Sequence, residues 1–211
     1  MKNQADQQTQ AATAAPATFS TSVMLQRAIE LHQQGEIRQA AAMYLEILEA
    51  EPNNFDALHL LGIYALQTND DVAAFDLIAR ALEIDPYQAM AYSNFGLALQ
   101  RMKRFDEALA AYDETLKIAP DHLPAINNRG NTLAEMRRFD EAIVFFQRAL
   151  HLSPEWSEAL ASQGHALLGL GRYQEAVAQL DRALAIDPEL ETARLHREQA
   201  LQAIKESAPA A

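Results

Sequence analysis

The sequence contains no cysteine, which excludes disulfides, thiolate metal sites and lipid attachment through sulfur. That absence agrees with a reducing compartment without requiring one. Nowhere do about 18 apolar residues follow one another, so no membrane-spanning helix is expected. The opening stretch, MKNQADQQTQAATAAPATFSTS, lacks the apolar core of a secretory leader. Cations are scarce: 17 Lys and Arg stand against 29 Asp and Glu, a formal net charge of -12. Phosphate binding needs a stripe of Lys and Arg, so nucleic acid and anionic membrane surfaces are not expected partners. A soluble, cytoplasmic protein that meets neutral or basic partners is expected. Only seven glycines and eight prolines are present, and most of them obey one rule.

The rule is a period of 34 residues. Pro52, Pro86, Pro120, Pro154 and Pro188 keep it, as do Gly62, Gly96, Gly130 and Gly164, and Ala40, Ala74, Ala108, Ala142 and Ala176. Interleaved series in one phase mark stacked copies of a single supersecondary unit. Such a chain grows by repeats and needs no central core. In the copy that starts at Ala89, Tyr92, Phe95, Gly96 and Leu99 form one stripe of a first helix. Met102, Lys103 and Arg104 make a turn, Ala108, Tyr112 and Thr115 line a second helix, and Pro120 ends it. Pre-proline geometry places the stop at Ala119. A helical Gly costs ~1 kcal/mol against Ala, so its recurrence implies close helix approach. Bulk takes one recurring position, Tyr44, Ile78, Tyr112, Phe146 and Leu180, as a knob between successive pairs.

This alternation of Gly, Ala, aromatic and Pro resembles the tetratricopeptide repeat, a family of stacked helical hairpins. The resemblance implies an all-α, right-handed superhelical solenoid of about five hairpins, at 21–54, 55–88, 89–122, 123–156 and 157–190. A charged capping helix is expected at 191–205, and disordered tails at 1–20 and 206–211. Three departures stand out. Arg27 and Ala28 replace Leu and Gly, and Asp71 stands where other copies have Ile37, Phe105, Phe139 or Tyr173. Arg129 occupies a normally apolar position. It either pairs with an acidic neighbour or turns toward the groove, and the first is expected.

No chemistry-bearing constellation emerges. His32, His59, His122, His151, His165 and His196 are scattered without metal-ligand spacing. No nucleophile elbow, phosphate loop or dinucleotide fingerprint occurs. In GHALLGLGR, Gly164 is assigned to helix packing, and Gly169 and Gly171 to the turn. Asp106-Glu107, Asp140-Glu141 and Glu175 are read as helix-start acids that help cap free amides. Arg104, Arg138 and Arg172 are read as their turn partners. No catalytic residue, cofactor or metal is expected.

The resemblance also implies that first helices line the concave wall. In register, His59 and Asn127 occupy its fifth position, and Asn94 and Asn128 its sixth. Asn131 and His165 fall at the ninth and Arg101 at the thirteenth. These seven residues are the candidate partner-binding set. A carboxamide both donates and accepts, so an asparagine ladder is suited to gripping an extended peptide backbone. The same amides equally suit local helix-end or inter-helix bonds. Apolar Leu25, Ile29, Leu60 and Ile63 sit toward the N-terminal end. Ser22, Asp56, Met90, Pro124 and Glu158 give no basic clamp for a chaperone carboxylate.

The strings AYSNFGLALQRMKRFDEALAAYD and INNRGNTLAEMRRFDEAI are similar to the arrays of bacterial O-linked N-acetylglucosamine transferase-like (SPINDLY-type) proteins. There the array presents protein substrates to a separate catalytic domain. The stretch read here holds the repeats and their cap without such a domain, so catalysis is not carried over. Leu60 and Ser162 interrupt the ladder that Asn94 and Asn128 match. The expected function is a non-catalytic scaffold that binds a protein or peptide in its groove. Alternatives are a substrate-recruiting subunit for a separate glycosyltransferase and a cytosolic secretion-type chaperone.

Overall fold

A computed structural model describes residues 20–207. All regular structure among the described residues is helical, and the chain divides into two compact units, Met1–Pro52 and Asn53–Ala211. The expected tails lie mostly outside the described residues.

The first unit holds one hairpin, α1 (Thr21–Gln33) and α2 (Ile37–Ala50). Tyr44 and Ala28 are fully buried, and the Tyr44 hydroxyl lies 3.3 Å from His32 Nδ1. Arg27 is exposed and pairs with Glu30 on its own helix at 3.1 Å.

The second unit repeats the hairpin four times and adds one helix. Its pairs are α3 (Phe55–Gln67) with α4 (Asp71–Ile84), and α5 (Ala89–Arg101) with α6 (Phe105–Ile118). They continue as α7 (Leu123–Glu135) with α8 (Phe139–Leu152), and α9 (Ser157–Gly169) with α10 (Tyr173–Ile186). The last helix, α11 (Glu191–Ser207), runs two residues beyond its expected end. Successive first helices of this unit touch one another, whereas successive second helices do not come into comparable contact. The row therefore bends with its first helices on the inner side.

Steric causes of the periodic series are direct. A Cβ added to Gly62, Gly96, Gly130 or Gly164 would stand 2.5–2.7 Å from Ile78, Tyr112, Phe146 or Leu180. Each knob thus lies on the glycine of its own hairpin. Its far side meets the next first helix: Tyr112 clusters with Ala125, and Ile78 with Ala91 and Ala98. The alanines at Ala74, Ala108, Ala142 and Ala176 are wholly buried. A further series, Ala57, Ala91, Ala125, Ala159 and Ala193, is equally buried. It was legible as another 34-residue column in the sequence.

Turns within hairpins share one device. Gly35, Asn69, Lys103, Arg137 and Gly171 all have positive φ, between 60° and 83°. This left-handed residue lets the chain leave the first helix and start the second. Gly169 differs from the turn assignment. It is the last residue of α9, and a Cβ there would meet the Phe139 ring at 2.5 Å. It is therefore a glycine of close approach between neighbouring hairpins.

Helix starts also correct the expectation. Asn54, Asp70 and His122 accept bonds from Ala57, Ala73 and Ala125 amides, but α6, α8 and α10 have no side-chain cap. Their glutamates turn to the arginine just before the helix, the turn pairing expected from the sequence. Arg104, Arg138 and Arg172 each make two bonds of 2.7–2.8 Å to Glu107, Glu141 and Glu175. Those bonds hold the three carboxyls below their usual range. Because the pairs are solvent-exposed, they fix turn geometry more than they stabilise.

Candidate functional site

Two of the departures become inter-hairpin ties. Arg129 Nε donates to Asp113 Oδ1 at 2.8 Å, with its guanidinium 4.2 Å from the centroid of Phe145. This is the acidic pairing expected from the sequence. The same two columns recur two repeats on, at the last joint, where Arg197 of α11 pairs with Asp181 of α10. Arg101, expected in the groove, reaches back to the preceding hairpin. Its Nη1 donates to the Leu66 carbonyl at 2.8 Å and lies 3.4 Å from both Asn69 Oδ1 and Asp71 Oδ1. Asp71 thus replaces an apolar residue because Arg101 faces it. At the corresponding joint farther on, Phe139 faces Gly169. Glu135 is held by Gln100 and Lys103, both at 2.7 Å.

The inner wall of the second unit is built by α3, α5, α7, α9 and α11. Fifth-position side chains lie beneath its surface: His59, Ser93, Asn127 and Ala161 are all buried. Asn94 Nδ2 donates to His59 Nε2 at 3.1 Å, which ties α5 to α3. That bond requires an unprotonated Nε2, and burial lowers the His59 pKa against the opposing pull of Asp56. Asn127 Oδ1 is buried without a partner among the described residues. Its packing position, not its identity, was invisible to a reading by columns.

Nearer the surface, Asn128 and Asn131 are half-buried on one face of α7. The Asn128 carboxamide lies by the Tyr112 hydroxyl, whose acidity burial suppresses. Asn131 makes no side-chain hydrogen bond among the described residues. Leu60, Ile63 and Leu97 are likewise half-buried toward the N-terminal end of this wall. Ser162 and His165 follow toward the C-terminal end. The wall consequently changes from apolar to amide and hydroxyl along its length.

His165 stacks on His196 with centroids 4.6 Å apart and planes 17° from parallel. Sequence spacing gave no hint of this pair, because a contact across 31 residues appears only once helices are stacked. No group of three or more metal-capable side chains occurs among the described residues. No described helix is long and apolar enough to cross a membrane.

Comparison with known proteins agrees with this architecture. Tetratricopeptide-repeat sequence models match residues 87–155 in one case and residues 25–89, 127–191 and 161–209 in another. The probable UDP-N-acetylglucosamine–peptide N-acetylglucosaminyltransferase SPINDLY of Solanum lycopersicum is 28% identical over 87 residues. That match takes in 41% of this chain but only 9% of the tomato protein. Among solved structures, the type IV pilus biogenesis factor PilW superposes with a TM-score of 0.80 at 22% identity, covering 89% of this chain and 87% of PilW. MamA gives 0.69 at 21%, covering 90% and 97%. YrrB, described as a tetratricopeptide protein with an unusual peptide-binding site, gives 0.70 at 20%, covering 83% and 90%. At these identities the structural likeness speaks for the fold alone. With knobs on glycines, left-handed turns and matching sequence models, this chain belongs to the tetratricopeptide repeat family.

Proposed function

We propose that the chain is a non-catalytic scaffold whose first-helix wall binds an extended segment of a partner protein. The observation that carries this reading is the pair Asn128 and Asn131, half-buried on the wall and one helical turn apart. Both carboxamides are placed to exchange hydrogen bonds with a peptide backbone, and Asn131 has no competing bond among the described residues. Leu60, Ile63 and Leu97 offer an apolar seat for side chains at the other end. Among the seven candidate positions, His59 and Asn94 serve this wall by joining α3 to α5, and Arg101 by joining α5 to the preceding hairpin. Asn127 lies under the surface, while His165 lines the C-terminal end.

The test is selection of displayed random 12-residue peptides on the purified protein, followed by fluorescence anisotropy of the enriched sequences. An Asn128→Ala/Asn131→Ala variant is expected to weaken binding by about tenfold, the loss of one or two hydrogen bonds. Unchanged affinity together with an unchanged melt would overturn the assignment. A second reading, recruitment of substrates to a separate glycosyltransferase, is supported by the SPINDLY match over repeats alone. It predicts that adding the purified chain raises such an enzyme's activity on protein substrates; no increase would sink it.

A further inference from the structure

The His165–His196 stack joins α9 to α11 at the end of the inner wall. Phe139 of α8 meets His165 edge-on, with centroids 6.3 Å apart and planes at 82°. Beside the pair is a recess of about 180 Å³ lined by Glu158, Ala161, Ser162, His165, Thr192 and His196. His196 Nδ1 is buried and has no hydrogen-bond partner among the described residues. At the joint between α3 and α5 the corresponding place is filled by the His59–Asn94 bond. Here the column offers Ala161, which has no side-chain acceptor. Nearly parallel rings do not converge their lone pairs on one point, so the stack does not form a chelating pair.

We propose that the stacked His165–His196 pair is a proton-operated latch that holds α11 on α9 when both rings are neutral and releases it on acidification. Two imidazolium rings at 4.6 Å repel each other in a partly desolvated place. Few groups are positioned to offset that repulsion. Glu158, the one charged side chain lining the recess, is exposed and therefore screened. On α7, Arg129 and Glu135 are committed to Asp113 and Lys103. Asp181 of α10 is taken by Arg197, and Arg194 of α11 by Glu189 and the Pro188 carbonyl. Phe139, the contact from α8, carries no charge. Burial lowers both imidazole pKa values, and the His165 charge lowers that of His196 further. The neutral stack is thus the form matched to the folded joint. Ala193 and Ala200, fully buried on α11, would be uncovered by its release.

The experiment is amide hydrogen exchange of the full chain at pH 7.5 and 5.0, corrected for intrinsic exchange rates. At the lower pH, protection of α11 amides is expected to fall by about tenfold more than that of α5 to α8, which follow the general loss of stability. In a His165→Asn/His196→Asn variant, which installs the residues found at these columns in α7, the excess fall of α11 is expected to vanish. An α11 fall no larger than that of α5 to α8, or the same excess fall in the variant, would overturn the latch. NMR titration of the wild-type imidazoles provides a reading independent of variant folding. Coupled titration below the ordinary value of about 6.5 supports the proposal; separate titrations at that value refute it.

Discussion

Gly130 sits in mid-helix, where alanine is intrinsically better by ~1 kcal/mol. Against this, the added methyl would lie 2.7 Å from the Phe146 ring, which is fully buried and has little freedom to move. Overpacking of this kind costs ~1–3 kcal/mol, so the steric effect wins. Gly130→Ala is expected to lower the urea midpoint, and Gly130→Ala/Phe146→Leu to recover part of the loss. A single variant more stable than wild type would mean the helix pair opens easily. The opposite sign holds at Arg137, whose φ of 61° strains a side chain that makes no ion pair among the described residues. Arg137→Gly should raise stability by ~0.5–1 kcal/mol, because relief of left-handed strain exceeds the added unfolded-state entropy. Thermal melts of the two proteins side by side would check it.

Between elements, the joints are where residues stop repeating. Asp71 faces Arg101 at one joint, while Phe139 packs on Gly169 at the corresponding place two joints on. Asp71→Phe alone should destabilise by ~1–3 kcal/mol, since Arg101 occupies the space the ring needs. Adding Arg101→Gly should restore at least half of that. Equal midpoints for the single and double variants would show that the two columns do not face each other. The helical repeat, the glycine–knob contact and the Arg129 pairing were legible because period and steric size act locally. Gly169 was misassigned because turn and joint glycines look alike until the neighbouring Phe139 is in place. The Arg101 tie, the buried fifth column and the histidine stack depend on how one hairpin is set on the next. A single sequence expresses such offsets only as pairs of columns, such as Asp113 with Arg129 and Asp181 with Arg197, both 16 residues apart.

For the molecule as a whole, acid should act before heat does. His59, His122, His165 and His196 all have folded pKa values lowered by burial. Below about 6.5 the unfolded chain takes up protons that the native one refuses. The stability these residues contribute is therefore complete above that pH and declines as pH falls toward their folded values. Urea midpoints should drop between pH 7.5 and 5.0, less steeply in His59→Gln, whose side-chain oxygen can still accept from Asn94. Identical slopes would remove His59 from the linkage. The non-repeating joints have a consequence for rearrangement: they write the order of the hairpins into the chain. Excising residues 89–122 would leave Asp71 opposite Glu135 and strip Arg129 of Asp113, like charges at one contact and an orphaned cation at another. Excising residues 123–156 would instead bring Phe105 onto Gly169, a match of the kind already made by Phe139. Though each cut removes one whole period, only the second should yield a shortened protein that melts cooperatively, so hairpins that look interchangeable by their columns are addressed, one by one, to their neighbours.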